Sequence, residues 1–216
     1  IRGLALNRVA VYRHGFRQEG QQWGGDHGLA VDQFSVHRAQ VIKGPGALRY
    51  GSDAIGGVVK LHNRPMPRPG TWQGGVQTSY MSLNHNAGAT GHIATTTENG
   101  YSARLQLSTQ QYGDYRVPAD SFVYNRFVLP IADEHLKNTA GREYNGQLSL
   151  AKQAKWGRVA VHASKFDQEM GLFPGALGIP RAYDLQPDGN RRDRDLPNVR
   201  VEHWQLALRS TFILPK

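Results

Sequence analysis

The run from Val41 to Leu61 constrains this chain more than any other stretch. It begins with a short apolar segment, Val41 and Ile42, followed by a turn at Gly44, Pro45 and Gly46. A corner at Tyr50, Gly51, Ser52 and Asp53 comes next, and a second strand through Val58, Val59 and Leu61 is entered by Gly56 and Gly57. Proline fixes φ and removes a backbone donor, while glycine permits positive φ and close backbone approach. Any one of these residues fits an ordinary hairpin. The whole run asks for a specific β architecture.

The stretch resembles the end of the plug domain of TonB-dependent outer-membrane receptors, a pattern of the form V-x-R-G-P-x-x-x-x-Y-G-x-x-A-x-G-G-V-[VI]. Upstream, Ile1, Arg2 and Gly3, then Asn7, Arg8, Val9, Val11, Gly15 and Arg17, resemble the preceding plug segment at matching spacing. The run from Tyr50 to Val59 is similar to that of cobalamin and related iron-complex receptors. Three positions depart from the pattern: His14 precedes Gly15 where the family has an acidic residue, Lys43 stands for Arg, and His37 or Gln40 for Glu. The resemblance implies pairing of plug cations with barrel carboxylates, which makes Arg2 and Lys43 the candidate plug–barrel contacts. Lysine cannot reproduce a bidentate guanidinium pair.

From Gly70 onward, stretches of about ten residues alternate apolar with polar, the pattern of outer-membrane strands. Trp72, Gly74, Val76, Thr78 and Tyr80 share one face, as do Tyr101, Ala103, Leu105 and Leu107. Tyr144, Gly146, Leu148 and Leu150 repeat the pattern, and so do Trp204, Leu206, Leu208 and Phe212. Six strands are predicted, near 72–82, 87–97, 101–111, 143–152, 158–167 and 203–213. Aromatic residues at segment ends suit interfacial girdles. Short connections at 98–100 and 153–157 alternate with long ones near 112–142 and 169–202. A soluble sandwich shares the alternation; the girdles and long loops favour a barrel.

The expected fold is therefore mainly β: residues 1–70 form the C-terminal part of a plug domain with little helix. Residues 71–216 supply about six antiparallel transmembrane strands and extracellular loops of an incomplete barrel, which in the family has about 22 strands. The chain starts at Ile1, inside the motif, so the resemblance implies a signal sequence, a TonB-contacting segment and the first half of the plug upstream. Further barrel strands are implied downstream.

Net charge is +9, but residues 1–70 hold ten basic and four acidic residues and the remainder sixteen and thirteen, scattered without a basic run. That distribution argues against nucleic acid as a partner. The chain has no cysteine, so disulfides and thiolate chemistry are absent. No nucleophile–base constellation stands out, and neither enzyme activity nor a cofactor is expected.

The resemblance places the segment from Arg17 to Gly28 as an apical plug loop facing substrate. Gln18, Gln21 and Gln22 offer donors and acceptors, Trp23 a flat apolar surface, and Asp26 with His27 candidate metal ligands. Two ligands do not close a zinc site, and Asp133, Glu134 and His135 in the first long loop are candidates to add to them. Arg191, Arg192 and Arg194 read either as a solvated mixed-charge loop or as attractors of an anionic chelate. The function implied is that of a Gram-negative outer-membrane receptor importing a scarce nutrient complex with TonB as partner and outer-membrane lipid around it. An iron–siderophore leads the substrate classes, with haem, cobalamin or zinc behind it. The rival is a soluble extracellular β-sandwich or adhesin.

Overall fold

The computed structural model describes residues 8–18, 28–51, 54–124, 126–176 and 189–214. Two sheets dominate it. The first is a small mixed sheet built from β1 (Val9–Arg13), β2 (Phe16–Arg17), β3 (Arg38–Ile42) and β4 (Gly57–His62), in the order β2-β1-β4-β3. β4 runs antiparallel to β3 and parallel to β1, with Val9 opposite Gly57 and Arg13 opposite Leu61. The Val41–Leu61 run is thus a hairpin completed by a third strand from outside it. Its turn is longer than expected, a 3-10 segment over Gly44–Tyr50 with proline near its start. Gly51 and Gly57 take φ of 99° and 127°, which excludes other residues without strain. The core of this unit is small: Ala10, Ala47, Ala54 and Val58, with Tyr12, Ile42 and Tyr50 packed on it.

The link Asn63 to Gly70 leads into a six-stranded antiparallel wall. It contains β5 (Thr71–Met81), β6 (Asn86–Thr96), β7 (Tyr101–Tyr112), β12 (Gly141–Ala154), β13 (Gly157–Gly171) and β14 (Asn198–Phe212), each paired with the next in chain order. The chain between β7 and β12 adds two small ladders, β8 (Tyr115–Arg116) with β11 (His135–Leu136), and β9 (Ser121–Tyr124) with β10 (Phe127–Pro130).

All six expected wall strands are present, and their faces are those of the sequence pattern. Trp72, Val76, Tyr80, Leu105, Leu107, Leu148, Leu206 and Leu208 are exposed on the outer face. Arg104, Ser108, Gln110, Gln147 and Ser149 are buried on the inner face. Trp72 and Tyr80 lie eight residues apart on β5, as do Trp204 and Phe212 on β14. At about 3.3 Å per residue that is roughly 26 Å along the strand, or about 20 Å of height at the ~40° tilt of barrel strands, which covers most of the ~25 Å apolar band of an outer-membrane barrel.

Two expectations change. The β5–β6 link, Ser82 to His85, is short, so short and long connections do not alternate from the first strand. The stretch from 112 to 142 holds paired strands in place of an open loop. Among the described residues no helix is long and apolar enough to cross a membrane.

Candidate functional site at the junction of the two sheets

β1 brings Arg13 to the surface where the mixed sheet meets the wall. It follows Val9 and Val11 in the strand alternation, and the side chain is only 4% exposed. Its Nη2 donates to Ser35 Oγ and to Gln147 Oε1 on β12, both at 2.9 Å. Ser35 belongs to a 3-10 turn, Gln33–Ser35, capped by Asp32, whose carboxylate accepts from the Phe34 amide at 2.9 Å. Burial lowers the Arg13 guanidinium from its ordinary range, and nearby Asp32 opposes that shift. Burial likewise raises Asp32, with the Phe34 amide and Arg13 pulling it back.

The same turn makes two further contacts with the wall. Gln33 Nε2 donates to Gln110 Oε1 on β7 at 2.8 Å. Phe34 lies against Gly88 on β6, where an added Cβ would stand 2.8 Å from Phe34 Cζ. Close approach requires glycine at that position. On the other side of Arg13, His14 stacks on His162 of β13 with ring centroids 4.0 Å apart. His14 is pushed down to about 3, by burial first and then by the charges of His162, Arg13 and Arg209, so its imidazole is neutral at pH 7. Arg104 on β7 reaches back to the link, donating to the Arg64 carbonyl and to the Pro65 carbonyl at 2.5 Å. The junction is therefore fastened by polar contacts, mostly through neutral partners on the wall.

At the far end of the wall the two long connections are tied to each other. Asn138 Nδ2 reaches the carbonyls of Leu172, Asp195 and Pro197 at 3.0, 3.0 and 2.9 Å. Arg142 pairs with Glu169 at 2.7 Å, and Arg194 approaches the same carboxylate at 3.5 Å. Arg191 stands 3.9 Å from Asp133 and 3.4 Å from His135 Nε2. Two of the three arginines singled out in the sequence are thus engaged with carboxylates of the chain.

Of the candidate ligand residues, Gln21, Gln22, Trp23, Asp26 and His27 lie outside the described residues, as does Arg2. Gln18 is described: its backbone N–H donates to Val11 O at 2.8 Å and its side-chain Nε2 to Phe16 O at 3.3 Å. Lys43 is exposed at the start of the Gly44–Tyr50 segment and, among the described residues, makes no hydrogen bond or ion pair with the wall. Asp133 and His135 sit together beside Arg191. Among the described residues no group of three or more His, Asp and Glu side chains could hold a metal ion. Arg13, the turn after Asp32 and Arg104 were not singled out in the sequence. The signal available was a cation at an apolar-alternation position, third in the series Val9, Val11, Arg13.

Residues 1–58 match the family described as TonB-dependent Receptor Plug Domain. The chain is also 32% identical over 120 residues to the iron-regulated outer membrane virulence protein of Vibrio cholerae serotype O1, in two strains. The match covers 52% of this chain and 18% of each relative, so the chain spans under a fifth of their length. The plug match, these outer-membrane relatives and the mixed sheet followed by an antiparallel wall together support a TonB-dependent receptor fragment, placed in the outer membrane of a Gram-negative cell.

Proposed function

We propose that residues 1–70 work as part of a plug and 71–216 as part of the barrel wall of a receptor that imports an iron complex, an iron–siderophore first among the candidates. The observation that carries this reading is the junction itself. A plug that must move and return needs an interface whose bonds water can replace, and Arg13, Gln33, Gln110 and Gln147 provide one. An apolar seam would hold more permanently. The iron-regulated relatives favour iron over the other nutrients. TonB would act through a segment preceding this stretch, and binding followed by a conformational transition is the whole of the chemistry.

In this reading Gln18, Gln21, Gln22, Trp23, Asp26 and His27 form the apical contact with the chelate, Arg2 contributes to the plug–barrel contacts, and Lys43, exposed and unbonded to the six described strands, would do so only against another part of the barrel. A soluble sandwich fits poorly, because the outer face of the wall presents a continuous exposed row including Leu105, Leu107, Leu148 and Leu206. The test is uptake in iron-limited cells carrying or lacking the complete receptor gene, with labelled iron–siderophores, haem, cobalamin and zinc in parallel. Receptor- and TonB-dependent uptake of an iron chelate is expected, weakened by Trp23→Ala or His27→Ala. Uptake of all four that is indifferent to receptor and TonB would overturn the proposal.

A further inference from the structure

A cleft of about 720 Å³ opens at the turn end of the wall, between β4, the link after it and strands β7, β12, β13 and β14. This is the end that carries the short connections after Thr96 and Ala154, opposite the long loops. Lys60, Arg64, Arg104, Arg158 and Arg209 line it together with His14, His62 and His162, and among the described residues no Asp or Glu lines it. Five permanent cations in one cleft without a carboxylate is an unfavourable arrangement unless something negative enters.

The strand register accounts for part of the crowding. Arg158 lies opposite Thr211 and Ala160 opposite Arg209, so the two arginines are diagonal neighbours on the same inner face of β13 and β14. Arg104 is different. Its two carbonyl partners, on Arg64 and Pro65, fix the link as the rim of the cleft, and its buried Nε has no partner. Among the described residues none of Lys60, Arg64, Arg158 and Arg209 belongs to an ion pair of the chain. Lys60 instead rests over the Tyr50 ring at 4.6 Å. His14 and His62 feel the same field: burial first, then neighbouring cations, lower both.

We propose that this cleft is a binding site for a small, multiply charged oxyanion, held by the guanidinium forks of Arg158, Arg209 and Arg64 with Lys60 as a further point charge. Guanidinium groups match carboxylate and phosphoryl oxygens in bidentate fashion, and the volume lies in the range of small-molecule sites, about 300–1,000 Å³. Set at the inner mouth of the plug–wall seam, the site stands where an anionic cargo would leave the receptor. That placement rests on the import reading; the anion site itself does not.

The experiment uses the complete receptor, purified in a non-ionic detergent, titrated calorimetrically with pyrophosphate and, separately, with citrate at low and high ionic strength. Saturable binding of at least one of the two is expected, weakened by salt and by roughly tenfold or more in the variant Arg158→Gln with Arg209→Gln. The Lys pair at the same positions, which retains charge without the fork, should fall between, and it serves if the Gln pair does not fold. Folding is checked by the heat-modifiable migration of the barrel on gels. Preference for pyrophosphate or for citrate assigns phosphoryl or carboxylate chemistry. Absence of saturable binding to the intact receptor, as when carboxylates of other wall strands already fill the cleft, would overturn the proposal, as would undiminished binding by the variants. Nutrient uptake is scored separately: anion binding without receptor-dependent import would sink the import reading and leave this site standing.

Discussion

The bond between Arg13 and Gln147 crosses from plug to wall, and a double-mutant cycle on it tests whether polar contacts hold the two together. Arg13 is 4% exposed and Gln147 5%, and Arg13 gives one bond to Ser35 inside the plug and one to Gln147 across the junction. Hydrogen bonds to charged groups contribute about 1.5–3 kcal/mol each. Gln147→Leu removes one of them and should cost about 1.5–3 kcal/mol of plug docking. Arg13→Met removes both and strands Asp32, itself 8% exposed, without its nearby cation. Its cost is about 3–5 kcal/mol, and adding Asp32→Asn should recover about 1 kcal/mol or more of it. Once Arg13 is gone, Gln147→Leu has little left to remove, so the coupling should be about 1.5–3 kcal/mol. The assay is native-state amide exchange of β1 and of Gln33–Ser35 in the complete receptor in micelles, with β7 as the internal reference. Losses that add to within about 0.5 kcal/mol would refute the reasoning, because independent sites behave that way.

Acidification should loosen the same seam. Folded His14 sits at about 3, below the ordinary ~6.5, so its contribution is complete above the unfolded value, declines as pH falls and is fully lost only near its folded value. At pH 5.5 the loss reaches at most about 1.4 kcal/mol. His14→Asn, neutral and tolerant of the φ of 54° there, should flatten the pH profile of β1 exchange, and an unchanged slope would remove His14 from the account. At the outer end, Asn138→Ala and Asn138→Gly both delete the amide that ties the two long loops, at about 1–3 kcal/mol. The glycine variant separates this from the backbone effect of φ 61°. Limited proteolysis between 172 and 197 should accelerate about tenfold in both, and equal rates in wild type and variants would show that the tie carries nothing.

The wall was legible because a barrel strand must show lipid one face and its interior the other, which writes a period of two into the sequence. The boundaries were less so. β14 begins at Asn198, ahead of the expected 203, and β13 continues to Gly171, beyond the expected 167. In those extensions Glu169, Arg200 and Glu202, with Asp167 at the boundary, occupy positions where alternation ends but the ladder continues, because the strands extend past the apolar band. The short ladders Ser121–Tyr124 and Phe127–Pro130 carry no alternating face to be read. The Val41–Leu61 run located the plug, yet the contacts that seat it join residues far apart in sequence. Arg13 could be noticed as a cation in an apolar series; that Gln147, on β12, would meet it could not.

The parallel pairing of β1 with β4 has a mechanical consequence. β4 continues into the wall, so its end at His62 is anchored, while the chain enters β1 at Val9. Tension applied at the Val9 end of β1 against the wall would act on opposite ends of the pair from Val9–Gly57 to Arg13–Leu61 and load its whole ladder in shear. β3 is different: it runs antiparallel to β4 and starts at Arg38, opposite the anchored His62, so tension reaching it peels one rung at a time. The sheet therefore resists until the first ladder slips and then comes apart sequentially, a threshold followed by a run.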